Sequence, residues 1–270
     1  MRIGISSWSV PWAIGVAGHP SPARPLSPLD LLELTAETGA EVLQVADNLP
    51  LHPLPRSQWL ALGSVAAARD ITLEIGTRGL QPDHLLGYLE IAEATGARLV
   101  RTLPHDGDDR PDFGEALRRL CAIVRAYEQA GVTLAIENHD FYPSQWLKDL
   151  VDAIDSPAVG VCLDAVNNLG LGESFREVLT NLGTRTVNFH CKDYTIRRKP
   201  TMLGFDVEGA PAGAGMLDLA TARQSLPSGL SWIVESWLPW QGDEETSLRL
   251  EREWLSTGLA NLRRLRESEQ

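Results

Sequence analysis

The sequence predicts an α/β fold, a single (β/α)8 TIM barrel spanning residues 1–270. Short apolar stretches alternate with helical ones eight times, at roughly 30-residue intervals typical of strand–helix units. The 270-residue length suits one barrel, which needs about 250 residues. Four successive strands in the second half also end in ionisable side chains: TLAIENHD, VGVCLDAVN, TVNFHCKD and SWIVESW. Strand ends that break into charge are where such a barrel keeps its chemistry. An open doubly wound sheet is the alternative. Its GxGxxG fingerprint after the first strand is missing, as is a P-loop lysine motif. No self-similarity suggests a solenoid.

Residues 3–9 are β-prone and form the first predicted strand, followed by a Pro-, Gly- and Ala-rich loop over 11–28. Ser27-Pro28 caps a helix that Gly39 ends. Residues 42–46 give the second strand and 47–55 a polar loop. A helix over 59–68 leads to a third strand at 72–75, and a helix over 82–94, stopped by Gly96, to a fourth at 99–103. Leu117, Leu120, Cys121, Val124 and Tyr127 recur at helical spacing over 113–129. The fifth strand is 133–137, with a helix at 144–154. The sixth is 159–164, with a helix at 174–182, and the seventh is 186–192. The long segment 194–228 carries four glycines and one helix near 218–224. The eighth strand is 232–235, followed by a helix over 244–266 and a frayed tail at 267–270.

Just over two-fifths of the residues are hydrophobic, enough for a sizeable core, and the formal charge is −12. A nucleic-acid binder usually presents a basic face, and the one short basic cluster, Arg197 to Lys199, is too small for that. The 3 cysteines include no CxxC pair, so a disulfide framework is not expected. The start reads neither as a signal peptide nor as a membrane span, so a cytoplasmic protein is expected.

Side chains alternate faces along a strand. Ala135, Glu137 and His139 therefore share a face, as do Cys162 and Asp164, then Asn188, His190 and Lys192, and finally Ile233, Glu235 and Trp237. One choice of face sends Glu137, Asp164, His190 and Glu235 into one barrel mouth. Three carboxylates and an imidazole need compensation there, and a divalent cation supplies it. Oxygen-rich ligation with one nitrogen suits Mn(II) best, with Mg(II), Co(II) or Zn(II) as alternatives. A lone carboxylate at a strand end is more often a cap, and a lone histidine is as often a core residue as a ligand. The specificity lies in the set. Cys162 and Cys191 read as packing residues. Trp8 and Trp237 are candidates for an apolar wall against a sugar, and Arg197 is either a solvated loop residue or a ligand contact.

IENH at 136–139, CLDAVN at 162–167, FHCKD at 189–193 and VES at 234–236 resemble the xylose isomerase-like TIM barrels. This is the sugar phosphate isomerase/epimerase superfamily, which includes ketose 3-epimerases. The resemblance covers essentially the whole chain. It implies that Glu137, Asp164, His190 and Glu235 bind one divalent metal and that the two glutamates exchange the substrate proton. It also implies a small sugar or sugar derivative as partner and a homo-oligomer. Epimerases of this type often carry a histidine three residues after the metal-binding aspartate, where Asn167 stands here.

The expected activity is a metal-dependent isomerase or epimerase working by proton abstraction next to a carbonyl, through a stabilised enediolate. Glu137 and Glu235 are the catalytic pair. His139, Asn167, Lys192, Arg197, Trp8 and Trp237 are substrate-binding candidates. Because the same enediolate can expel a β substituent, a lyase or dehydratase on keto-sugars, keto-inositols or 3-oxo-glycosides is the main alternative. An endonuclease IV-like nuclease is disfavoured by the acidic balance, and a non-catalytic sugar-binding barrel by the intact glutamate pair.

Overall fold

A computed structural model describes residues 1–268. Seven strands come first: β1 (Arg2–Ser6), β2 (Val42–Val45), β3 (Thr72–Arg78), β4 (Leu99–Leu103), β5 (Thr133–Glu137), β6 (Val159–Asp164) and β7 (Thr186–Cys191). A hairpin of β8 (Asp193–Arg198) and β9 (Phe205–Ala210) follows, then β10 (Ser231–Val234). β1 to β7 and β10 close into a barrel in the order β1-β10-β7-β6-β5-β4-β3-β2, every neighbouring pair parallel. This is the (β/α)8 architecture expected from the alternation.

The connecting helices are α1 (Pro11–Ile14), α2 (Pro28–Thr38), α3 (Arg56–Ala68), α4 (Pro82–Thr95), α5 (Phe113–Ala130), α6 (Ser144–Ile154), α7 (Phe175–Leu182), α8 (Leu219–Ser225) and α9 (Glu244–Glu267). Their ends follow local chemistry. Ser27 and Asp30 form a reciprocal capping box at the start of α2, with Pro28 at the first helical position. Asp112 accepts from Glu115 N at the start of α5, and Gly131 closes that helix at φ 62°, where a Cβ would be strained. The strands bury both faces, as parallel sheets covered by helices must. Their outer faces pack under the helices, where Phe189 and Trp232 meet at 4.6 Å between ring centroids.

The inner face is different. Register places Ser6 beside Gln44, Gln44 beside Glu74, Glu137 beside Cys162 and Asp164 beside His190. Small residues make room where strands crowd: a Cβ on Gly4 would lie 2.6 Å from Ile233 Cδ1. The barrel interior is therefore a connected polar column rather than layers of branched aliphatics.

Four details depart from the sequence-based expectation. The first strand ends at Ser6, because the Ser6 and Ser9 side chains fold 7–9 into a capped 3-10 turn. The expected loop over 11–28 contains the short helix α1, started by Pro11. The third strand runs on to Arg78, which brings Thr77 and Arg78 to the mouth. The first part of the segment after the seventh strand is a paired hairpin rather than irregular chain, while the one helix expected near 218–224 is present as α8. The expected fraying at 267–270 lies partly outside the described residues.

Candidate active site

The C-terminal ends of the strands enclose a cavity of about 400 Å³, walled by Trp8, Trp12 and Trp237 and floored by charged groups. Glu137, Asn167, Lys192 and Glu235 line it, with His139 and Asp140 at one side and Asp47 and Arg78 at another. The charged floor is buried: Glu137, Asp164, His190 and Glu235 are each at most 1% exposed.

Strand ends β5, β6, β7 and β10 bring these four residues together. Single ligand atoms of Asp164, His190 and Glu235 lie within 4.8 Å of one another, as do those of Glu137, Cys162 and His190. His190 Nδ1 is 3.3 Å from Glu137 Oε2 and 3.5 Å from Glu235 Oε2, yet takes part in no aligned hydrogen bond among the described residues. Asp164 Oδ1 accepts from the backbone N–H groups of Val166 and Asn167, both at 2.8 Å. Its Oδ2 lies 2.9 Å from Lys192 Nζ but without hydrogen-bond alignment. Two unsatisfied buried atoms facing a cluster of carboxylates fit a divalent cation, with oxygen donors and one imidazole nitrogen.

The remaining oxygens are held by named partners. Glu137 Oε1 accepts from Asn167 Nδ2 at 2.8 Å, and its Oε2 is bound by the Arg101 guanidinium. Burial opposes the Glu137 charge, but Arg101, His190 and Lys192 overcome it and hold the carboxyl well below its usual range. Glu235 Oε1 accepts from Ser6 Oγ at 2.8 Å, and Lys192 Nζ lies 3.1 Å from Glu235 Oε2. Burial likewise opposes the Lys192 ammonium. The surrounding Asp164, Glu235 and Glu137 raise its pKa instead, so it stays charged.

His139 lines the cavity and meets His105 Nε2 through its Nδ1 at 3.2 Å. Burial, with His139 and Arg78 adding to it, pushes His105 down to about 4, so this partner is neutral. Asn138 points away from the mouth. Its side chain pairs with the backbone of Asp164 on both sides, N–H at 2.8 Å and C=O at 2.9 Å, and so ties the β5 and β6 ends together. Cys162 donates to Asn188 Oδ1 at 3.2 Å, and burial raises its thiol, which leaves it a packing residue.

Trp8 and Trp237 both line the cavity, and Lys192 Nζ lies 5.6 Å from the Trp237 ring centroid. Arg197 is corrected. It is exposed on β8, paired in register with Asp206, and is not among the cavity residues, because the hairpin carries it away from the barrel. Sequence reasoning also missed Asp47, Arg78 and Arg101. Arg101 Nη1 donates to Asp47 Oδ1 at 2.6 Å, and Arg78 Nη2 to Asp47 Oδ2 at 2.7 Å. Arg101 stands alternately with apolar neighbours in LVRTL, and that inward parity was its one available signal.

Comparison with known proteins gives the family and the fold. A family model described as xylose isomerase-like TIM barrel matches residues 32–257. The 3-oxo-isoapionate decarboxylase of Pectobacterium atrosepticum is 36% identical over 257 residues, covering 94% of this chain and 92% of that protein. Among solved structures, D-psicose 3-epimerase with D-tagatose from Clostridium cellulolyticum H10 superposes with a TM-score of 0.71 at 15% identity, covering 98% of both chains. A xylose isomerase-like TIM barrel protein from Mycobacterium smegmatis in complex with magnesium gives 0.68 at 15% identity, covering 97% of both.

Proposed function

This chain belongs to the xylose isomerase-like TIM barrel family, and from that premise we propose that it is a divalent-metal-dependent enzyme forming an enediolate from a small polyhydroxylated oxo-compound. The observation that carries this is the convergence of Asp164, His190 and Glu235, with Glu137 against the same imidazole nitrogen. Those four residues would hold the cation. It would supply Lewis-acid stabilisation of the negative charge that develops on the substrate's oxygens.

Within that chemistry, the function best supported is a carbon–carbon lyase that removes carbon dioxide from a hydroxylated 3-oxo acid. The relative at 36% identity is a decarboxylase whose name specifies such an acid. When the bond to the carboxylate breaks, its electron pair passes into the neighbouring carbonyl, and one proton must then reach the carbon. Lys192 and Glu235 flank the cavity floor at 3.1 Å from one another, and the Lys192 ammonium is the proton-bearing member of the pair. Arg78 is half-exposed at the mouth and can take the substrate's anionic end. Trp8, Trp12 and Trp237 keep water from the reacting face.

Epimerisation is the second reading. It rests on Glu137 and Glu235, which approach His190 Nδ1 at 3.3 and 3.5 Å and could work from opposite faces of a substrate. Decarboxylation requires one proton to be delivered, whereas epimerisation requires one carboxyl to remove a proton and another to return it.

Incubation of the manganese-loaded protein with hydroxylated 3-oxo acids and with ketoses in heavy water separates the two. Carbon dioxide release with one deuterium in the product is the expected result. Deuterium in an otherwise intact ketose would transfer the assignment to epimerisation. No turnover of either class, with metal bound, would remove the enzymatic reading.

A further inference from the structure

Beneath the cavity floor lies a buried group of polar side chains to which the reaction above gives no work. Gln44 is fully buried on β2, Glu74 is 2% exposed on β3, and Asn188 is fully buried on β7. All three point into the barrel below His190. Glu74 Oε2 accepts from Gln44 Nε2 at 3.1 Å and from Asn188 Nδ2 at 2.7 Å. Gln44 Nε2 also donates to Asn188 Oδ1 at 3.2 Å. Gln44 Oε1 is 2.8 Å from His190 Nε2.

The orientation of the Gln44 amide follows from chemistry. Its nitrogen end faces two acceptors, Glu74 Oε2 and Asn188 Oδ1. Turned over, it would set an oxygen against both and leave the amide protons elsewhere. The oxygen end therefore faces His190 Nε2, which must carry a proton to bond it. That leaves Nδ1 as the nitrogen whose lone pair a cation can take, and Nδ1 is the one facing Glu137 and Glu235. Metal-binding histidines commonly fix their tautomer through the other ring nitrogen, and here that bond passes through an amide to a buried carboxylate.

We propose that Gln44 and Glu74 are positioning residues: together they fix a proton on His190 Nε2, so that Nδ1 is the nitrogen turned to the carboxylate cluster and offered to a cation. The consequence for metal binding rests on the function proposed above, whereas the tautomer itself does not.

The test compares wild type, Gln44→Leu and the exchange variant Gln44→Glu/Glu74→Gln. In Gln44→Leu, His190 Nε2 loses its acceptor and nothing holds the proton there. In the exchange variant, the carboxylate now at position 44 accepts from both His190 and the amide now at position 74, and the proton on Nε2 is held again. The first readout is the one-bond proton–nitrogen correlation of the His190 Nε2–H in the metal-free protein. It is expected in wild type, absent in Gln44→Leu and restored in the exchange variant. The second is calorimetric affinity for Mn(II). A loss of roughly 10–100-fold is expected in Gln44→Leu, as for other residues that orient a metal ligand, with recovery in the exchange variant.

A wild-type His190 protonated on Nδ1 and bare on Nε2 overturns the proposal, and this measurement needs no variant to fold. A folded Gln44→Leu protein that keeps both its Nε2–H signal and its metal affinity overturns it as well. If wild type binds no divalent cation but the Nε2–H signal behaves as described, the metal-dependent function fails and the positioning role stands.

Discussion

Lys192 Nζ lies 2.9 Å from Asp164 Oδ2, an oxygen that finds no aligned hydrogen-bond donor among the described residues. An ammonium group thus stands beside the same carboxylates that would hold a divalent cation. Removing it leaves Asp164 and Glu235 buried without that compensation, and breaking a buried pair typically costs about 3–5 kcal/mol. Lys192→Met is therefore expected to melt earlier than wild type when metal-free, and to recover most of the difference in excess Mn(II), which binds the folded chain. Thermal melting with and without metal checks this. Equal losses in both conditions would mean that the ammonium and the cation do not share those carboxylates.

Arg101 joins Glu137 to Asp47 inside the barrel. Arg101→Met removes the charge that both carboxylates face and is expected to destabilise the fold by about 3–5 kcal/mol in denaturant melts. Glu137 should at the same time lose much of its downward pKa shift, because Arg101 is the leading charge that lowers it.

Asn167 reaches Glu137 Oε1 at 2.8 Å from the turn after β6. A hydrogen bond to a charged group is worth about 1.5–3 kcal/mol, so Asn167→Ala should melt earlier than wild type and, where folded, turn over at least about tenfold more slowly. Steady-state kinetics beside a melting curve separates the two effects. Unchanged turnover would show that this contact is not used.

Glu251 on α9 accepts from the backbone N–H of Trp12 at 2.7 Å and of Ala13 at 3.2 Å, holding α1 beside the cavity. Burial raises its pKa to about 8, against the lowering effects of those two N–H groups and Arg252. In the unfolded chain a glutamate titrates near ~4.3. Between those values the folded protein carries a proton that the unfolded chain lacks, so this contribution is complete below ~4.3 and is lost as pH rises through about 8. Wild type is expected to lose melting temperature from about pH 5 to about pH 9 more steeply than Glu251→Gln. Parallel curves would contradict the shift.

The four strand-end residues were legible because each ends an apolar run with an ionisable group and parity sends all four one way. Gln44, Glu74 and Arg101 were not. Each is a single polar residue in an apolar strand, and only the closed barrel shows that they meet across the interior. The hairpin was hidden for another reason. Ile196 and Val207 sit opposite one another with the period-two pattern of strands, but the connection over 199–204 and the surrounding glycines read as irregular chain. Arg197 drew attention by its place after a metal-ligand candidate, and the hairpin's projection from the barrel removes it from the site.

Outside the site, Trp232 packs edge-on against Phe189 beneath the helices and is 2% exposed. Trp232→Ala should cost about 3–5 kcal/mol in urea melts. A change below about 1 kcal/mol would mean that the wall between β7 and β10 collapses into the gap.

The central claim is that Glu137, Asp164, His190 and Glu235 hold one divalent cation. Calorimetric titration of Mn(II) into the metal-stripped protein, repeated on Asp164→Asn and His190→Gln with folding checked by melting, tests it most directly. One saturable site per chain in wild type, lost in both folded variants, is expected. No saturable binding in wild type, or equal binding in the folded variants, would contradict it.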